Sequence, residues 1–124
     1  MIYQEIDGTF DGQNLVDDDG KMYPVIENYA SKSRLVEGDR LKLRIMENGE
    51  QIFKQVGPMP RKKFIGTVVN TQYGLEINDG EKNYRVLGAS IRFFKLNPGM
   101  KIAVETSDHG RWAAVQNVIE EEQA

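Results

Sequence analysis

The sequence predicts an all-β fold, and three observations favour this class. Short runs alternate apolar and polar residues, as a strand with one buried and one wet face does. Turn dipeptides that contain glycine separate these runs at short intervals. Apolar residues nowhere recur at the helical i, i+3, i+4 and i+7 spacing over three turns, so the sequence predicts no long helix.

The hairpin over residues 35–56 is the most clearly marked element. Three apolar residues alternate there with the cations Arg40, Lys42 and Arg44. Asn48-Gly49 follows, and both residues of such a dipeptide tolerate the positive φ of a tight hairpin turn. The chain then returns as a partner strand, so we expect an apolar inner face and a basic outer face.

Short elements precede this hairpin. They are, in order, a strand over 2–10, a turn at Asp11-Gly12, a return strand over 14–16, a turn over 17–20 and a strand over 23–26. Pro24 places the last of these at a sheet edge or at a strand start. For residues 28–34 the sequence does not distinguish a loop from a single helical turn capped by Asn28.

A boundary follows the hairpin, because Gly57–Pro60 holds two prolines and a glycine and can continue neither a helix nor a central strand. The later elements are a strand over 64–69, its partner over 73–77, an extended segment over 83–94 bent at Gly88 and a hairpin over 101–119. The predicted organisation is a first β unit over 1–57, a Pro/basic linker over 58–63, a second β unit over 64–119 and an acidic tail over 120–124.

The two units match each other at a shift of 61 residues. Tyr23 falls on Tyr84 and Gly38 falls on Gly99, and the match continues without a gap to Gln55. This pattern indicates a tandem duplication of a β unit of roughly 50 residues. Units of that size have thin cores, so we expect the two copies to pack together or to be stabilised by a partner.

Segments of both units resemble small β-barrel families. In the second unit GTVV, DGEKNYRV, LNPGMKIAVET and RWAAVQNV are similar to the strand order of cold-shock and other OB-type barrels. In the first unit DDGKMYPV, LVEGDRLKLRI and NGEQIFKQV resemble the Gly-Asp box and closing hairpin of AbrB-type proteins. The resemblance implies two tandem OB/SH3-like barrels or, alternatively, one pseudo-two-fold swapped-hairpin barrel. The whole chain also looks like uncharacterised small bacterial proteins, some of them labelled ribosomal.

Composition and charge limit the function classes. The chain has 124 residues and no cysteine, which gives neither a disulfide framework nor a cysteine zinc site. It contains no membrane-length apolar run and no signal-peptide pattern, so we expect a cytoplasmic protein without membrane contact. The net charge of −3 conceals a basic middle between acidic ends: residues 1–20 carry six acidic and no basic side chains, whereas residues 30–63 carry nine basic and four acidic ones.

The candidate nucleic-acid-binding residues come from this basic middle and from one aromatic segment. Cations on the same face of a strand repeat every ~6.6–6.8 Å, and such a row is able to follow a phosphate backbone. The alternative interpretation of these cations is a solvated outer face that binds nothing. Phe93, next to Phe94 on the predicted extended segment, would stack a base beside Arg92 or else pack in the core. The full set is Lys32, Arg34, Arg40, Lys42, Arg44, Arg61, Lys62, Lys63, Arg92 and Phe93.

The sequence does not predict an enzyme. His109 is the single histidine, and it follows Ser107 and Asp108 on a predicted turn where adjacent residues cannot form a catalytic triad. We therefore expect no catalytic residue, no metal site, no cofactor and no small-molecule substrate. The first hypothesis is a non-catalytic nucleic-acid-binding accessory protein, associated with RNA or a ribonucleoprotein, that contacts phosphates through the basic hairpin face. The alternatives are a protein–protein interaction adaptor of a larger assembly and an AbrB-like DNA-binding regulator.

Overall fold

The structure, a computed structural model, describes residues 1–119, so the predicted acidic tail over 120–124 lies outside the described residues. The first half contains β1 (Ile2–Phe10), β2 (Asn14–Val16), β3 (Met22–Pro24), α1 (Glu27–Lys32), β4 (Arg40–Met46) and β5 (Gln51–Gly57). The second half contains β6 (Arg61–Thr71), β7 (Gly74–Asn78), β8 (Asn83–Arg85), α2 (Gly88–Phe94), β9 (Lys101–Ser107) and β10 (Ala114–Val118).

The strands form two antiparallel five-stranded sheets, which confirms the all-β class. Their orders are β3-β2-β1-β4-β5 and β10-β9-β6-β7-β8, so each sheet uses strands of its own half alone. Within residues 1–119 no strand pairs with a strand of the other half, so the exchange of hairpins expected for one swapped-hairpin barrel is not seen. Neither sheet closes into a continuous ring within residues 1–119, although one parallel bridge joins Arg85 to Trp112.

The two halves have the same order of elements. A shift of 61 residues moves β3 onto β8 and β4 onto β9 without an offset. The backbone repeats as well, because Arg34 and Lys95, which follow α1 and α2, both have φ of 53°. The shared order and turn conformation place α1 and α2 at equivalent positions of the two halves.

Each half has its own hydrophobic core. Phe10, Leu15, Leu41 and Leu43 are buried in the first core, and Val68, Ile77, Ile102 and Val104 are buried in the second. The inward positions of β4 are thus those that the alternation predicts. Glycine lets strands approach closely at one place in each half, since a Cβ on Gly8 or Gly66 would lie 2.4 Å from a side-chain carbon of Leu15 or Ile77.

Three local predictions are corrected by the structure. For residues 28–34 the sequence allows a loop or a helical turn, and the structure shows the helix α1. This helix begins after Ile26 and lacks the side-chain cap expected from Asn28. The extended segment predicted over 83–94 is β8 followed by α2, so Phe93 and Phe94 lie on a helix. Seven residues are too few to show helical periodicity over three turns. The linker is shorter than the predicted 58–63, because Arg61–Lys63 form the start of β6 and pair with β9.

The ionisation of Tyr84 makes the stability of the second half depend on pH in the alkaline range. Its hydroxyl donates a hydrogen bond to Asp79 Oδ2 at 3.0 Å. Burial, and then the neighbouring carboxylate, raises the pKa of Tyr84 from 10.0 to about 12. Because the folded-state pKa is the higher one, the stabilisation is complete below pH 10 and is lost as the pH rises towards 12.

We therefore expect the free energy of unfolding to fall by up to roughly 2–3 kcal/mol across this pH window. Tyr84→Phe removes the ionisable group and should show a smaller alkaline loss. Urea unfolding at several pH values between 9 and 12 measures the difference. An alkaline loss in Tyr84→Phe as large as that of the wild type would contradict this assignment.

Candidate nucleic-acid interface

Acidic residues of β1 face the predicted basic stripe of β4. The strands pair in register, with Glu5 opposite Arg44 and Asp7 opposite Lys42. Arg44 Nε lies 3.0 Å from Glu5 Oε1, and Lys42 Nζ lies 3.9 Å from carboxylate oxygens of both acids. The charge of these two cations is therefore balanced within the sheet itself.

The third cation of the stripe has a neutral neighbour. Arg40 Nη1 donates a hydrogen bond of 2.8 Å to Thr9 Oγ1 on β1. The acidic N-terminal strand thus lies on the basic hairpin instead of forming a separate face. Exposed ion pairs of this kind contribute about 0–1 kcal/mol each, so their main effect here is to lower the positive potential of the sheet.

Arg61, predicted to clamp a phosphate, binds a buried carboxylate of the protein. Asp39 is fully buried, and Arg61 holds both of its oxygens, with Nη1 3.0 Å from Oδ1 and Nη2 2.8 Å from Oδ2. The backbone N–H groups of Val36 and Met59 and the amide of Gln55 donate to the same carboxylate. Asp39 is thereby satisfied by protein donors, as a buried charge requires.

The same guanidinium connects the two halves of the protein. Arg61 Nε lies 3.4 Å from Glu105 Oε2 on β9, while its other nitrogens bind Asp39 of the first half. The next two cations of the cluster stay exposed: Lys62 lies 3.4 Å from Asp108, and Lys63 lies 3.7 Å from Glu105. The predicted basic cluster is therefore one structural arginine followed by two surface lysines.

The helices α1 and α2 lie side by side and bound a groove between the halves. Ser31 Oγ and Ser90 Oγ are 2.7 Å apart, and the carboxylate of Glu27 accepts the backbone N–H of Ala89 at the start of α2. The α1–α2 groove has a volume of about 220 Å³. Its lining residues are Asn28, Ser31, Lys32, Arg34, Ala89, Phe93, Phe94 and Val115.

An exposed aromatic ring and two cations meet in the α1–α2 groove. Phe93 is 72% exposed, and its ring packs edge-on against Phe94 with centroids 4.8 Å apart. Lys32 and Arg34, which belong to α1 and the residues after it, are exposed in the same lining and take part in no ion pair with any residue of 1–119. An aromatic face beside unpaired cations suits a ligand that has both a flat base and a phosphate.

Arg34 lines two further grooves that adjoin this one. The first, of about 530 Å³, passes over Pro58, Met59 and Pro60. The second, of about 460 Å³, lies over β9 and β10, and we call it the β9–β10 groove. Its lining residues are Arg34, Lys63, Phe64, Ile65, Ala103, Val104, Glu105, Gln116 and Asn117. An exposed path therefore continues from the helices across the junction of the halves.

Arg92 does not line the α1–α2 groove. A Cβ added to Gly88 would lie 3.2 Å from Arg92 Nη1 and 2.9 Å from Glu27 Oε1. The guanidinium thus lies back over the first turn of α2, near the carboxylate of Glu27. Arg92 is therefore absent from the lining that contains Phe93, the residue it was predicted to accompany.

The structure therefore brings Lys32, Arg34 and Phe93 together, and it connects Lys63 to them through the β9–β10 groove. The other predicted binding residues lie elsewhere, namely Arg40, Lys42, Arg44, Arg61, Lys62 and Arg92. Asn28 and Gln116 are groove residues that sequence reasoning missed. The internal repeat could have indicated the groove. A shift of 61 residues relates Lys32 to Phe93, and these equivalent positions lie in one groove where the halves pack.

Comparison with protein-family models, with curated proteins and with solved structures finds no match for this chain. Within residues 1–119 no group of three acidic or histidine side chains converges to hold a metal ion. The described helices are all too short or too polar to cross a membrane.

Proposed function

We propose that this protein is a non-catalytic accessory protein that binds single-stranded nucleic acid, in particular RNA, in the α1–α2 groove. One observation carries the proposal: the exposed Phe93 lines the same groove as Lys32 and Arg34, two cations that form no ion pair within residues 1–119. Proteins that bind single strands combine a positive groove with aromatic side chains on which bases stack. RNA recognition targets unstacked bases of this kind, whereas a duplex hides them.

The position of the groove explains why this binding does not use the basic hairpin. The outer cations of β4 already face Glu5 and Asp7, so a phosphate would compete with carboxylates for them. Lys32 and Arg34 have no such competitor within the described residues. A phosphate bound there would release counterions without breaking an ion pair of the protein.

We also propose that the halves are duplicated OB-like barrel units. The shared strand order, the helix between the third and fourth strands and the parallel bridge between Arg85 and Trp112 support this. The bridge joins the end of β8 to a residue just before β10, the third and fifth strands of the second half. OB folds bind oligonucleotides, but the argument for function stands on the groove, because a fold alone does not determine what is bound.

A titration with labelled single-stranded RNA at several salt concentrations tests the proposal. Replacing both Lys32 and Arg34 by alanine should lower the affinity at least roughly tenfold and make the log–log salt slope less negative by about 1.4, or about 0.7 for each lost phosphate contact. Lys42→Ala with Arg44→Ala removes the same charge from β4 and is the matched control. We expect that control to bind RNA within about twofold of the wild type.

Two results would overturn the proposal. A wild-type protein that binds no single-stranded RNA at low salt would remove the function itself. Loss of binding in the β4 control with retention in the groove variant would move the site to the basic hairpin face. The same titration with single-stranded DNA decides whether the sugar contributes to recognition.

A protein-interaction adaptor is the second candidate, and the edge of the first sheet favours it. β5 is an edge strand, and its Ile52 and Val56 side chains are both partly exposed. Such an edge is able to take a further strand from a protein partner. Ile52→Lys with Val56→Lys should abolish capture of that partner without changing RNA affinity. The AbrB-like DNA-binding regulator stays a prediction, and no observation within residues 1–119 favours it over the other two candidates.

A further inference from the structure

Gln116 on β10 has an amide nitrogen without a hydrogen-bond partner among the described residues. Its Nε2 atom is buried, and it is the one such side-chain nitrogen or oxygen among residues 1–119. Buried donors are paired in the great majority of cases, because an unpaired donor loses its hydration without a replacement. The side chain lines the β9–β10 groove together with Arg34 and Lys63.

The first half of the protein contains an internal comparison for this residue. The shift of 61 residues relates Gln116 to Gln55, whose Nε2 donates to Asp39 Oδ2 at 3.0 Å. The position equivalent to Asp39 is Met100, which has no carboxylate. The strand pairing does not keep this equivalence, because Gln55 lies opposite Leu41 whereas Val118 lies opposite the equivalent residue Ile102.

Gln116 lies at a β-bulge of β10. In the pairing of β10 with β9, Val115 lies opposite Val104 and Asn117 lies opposite Ala103, which leaves Gln116 as the extra residue. Successive side chains of a regular strand point to opposite faces, whereas a bulge turns a side chain to a new direction. Gln116 and the next residue, Asn117, both line the β9–β10 groove.

The groove around this amide has two cations available for an anion. Arg34 is exposed and has no ion-pair partner among the described residues, and Lys63 has a side chain that is 80% exposed. Glu105 is the one carboxylate of the lining, 3.7 Å from Lys63 Nζ and 3.4 Å from Arg61 Nε. Since Arg61 stays beside Glu105, Lys63 is able to turn towards a ligand without leaving that carboxylate unpaired.

We propose that Arg34, Lys63 and Gln116 form a subsite for a backbone phosphate of the same RNA strand whose base stacks on Phe93. The subsite rests on the proposed function, and Arg34 connects the two places because it lines both grooves. Gln116 turns its buried amide towards the groove and donates a hydrogen bond to a phosphate oxygen, which gives the Nε2 atom a partner. The protein then contacts more than one nucleotide of the strand.

Two variants test the subsite with a hexanucleotide of single-stranded RNA. Lys63→Gln should lower the affinity about threefold to tenfold and make the salt slope less negative by about 0.7. Gln116→Leu should lower the affinity severalfold, yet it should raise the melting temperature of the free protein, because the unpaired amide is gone. Lys62→Gln is the matched control, since neighbours on β6 point to opposite faces, and its affinity should equal that of the wild type.

The failure of this inference is distinguishable from failure of the proposed function. If the wild type binds the hexanucleotide and Phe93→Ala weakens it, the α1–α2 groove is the site. If Lys63→Gln and Gln116→Leu then bind like the wild type, the phosphate subsite is wrong while the groove stands. If the wild type does not bind the hexanucleotide at all, both proposals fall together.

Discussion

Arg61→Ala should lower the free energy of unfolding by about 3–5 kcal/mol, the usual result of removing one partner of a buried ion pair. The change leaves the carboxylate of Asp39, which is fully buried, without the guanidinium that holds both of its oxygens. It also removes the contact with Glu105 within the second half, and the lost bonds to Asp39 weaken the connection between the halves at the same time. Urea unfolding followed by circular dichroism measures the loss.

Two further variants separate this role from a loss of surface charge. Arg92→Ala removes an exposed arginine and should change the stability by no more than about 0.5 kcal/mol. Arg61→Met combined with Asp39→Asn removes both charges and should recover part of the stability lost in Arg61→Ala, since no charge then remains buried alone. A loss below about 1 kcal/mol in Arg61→Ala would show that the ion pair is dispensable and would return Arg61 to the candidate phosphate ligands.

Phe93→Ala should weaken the binding of single-stranded RNA by about fivefold to a hundredfold, because stacking of one base on an aromatic ring contributes about 1–3 kcal/mol. The ring is 72% exposed, so its removal should leave the fold nearly unchanged. Fluorescence anisotropy gives the affinity, and the melting temperature of the same samples reports the stability. Phe93→Tyr keeps an aromatic face and should bind like the wild type.

Tyr73 provides the matched control for this experiment. It lies between β6 and β7 and is 77% exposed, so it offers a comparable ring outside the α1–α2 groove. Tyr73→Ala should leave the RNA affinity unchanged. A Phe93→Ala protein that binds RNA normally but melts at a lower temperature would instead show that Phe93 is a packing residue of α2.

The hairpins of this fold were predictable because local sequence determines them. Alternation of apolar residues located the buried side of β4, and Asn48-Gly49 located the turn before β5. The second helix was not predictable in this way, because α2 is short and its position depends on packing against α1. Contacts between distant segments, and not its own periodicity, distinguish it from an extended strand.

The sequence identified several residues of the candidate site, but it could not show which of them lie close together. Lys32, Arg34 and Phe93 were each identified from their chemistry, yet only the packing of the halves shows that they share a groove. The pairing of Arg44 with Glu5 depends on the register of β1 against β4, which charge counting cannot provide. The carboxylate that holds Arg61 belongs to Asp39, a residue that the sequence marks only as part of a turn.

A nuclear magnetic resonance titration of the ¹⁵N-labelled wild-type protein with short single-stranded RNA would map the bound surface residue by residue. Binding in the α1–α2 groove predicts the largest amide shifts over residues 28–34 and 88–95, followed by smaller ones over 115–117. Shifts confined to β4 and β5 would place the RNA on the basic hairpin face and contradict the groove. A spectrum that does not change at low salt would contradict nucleic-acid binding as a whole.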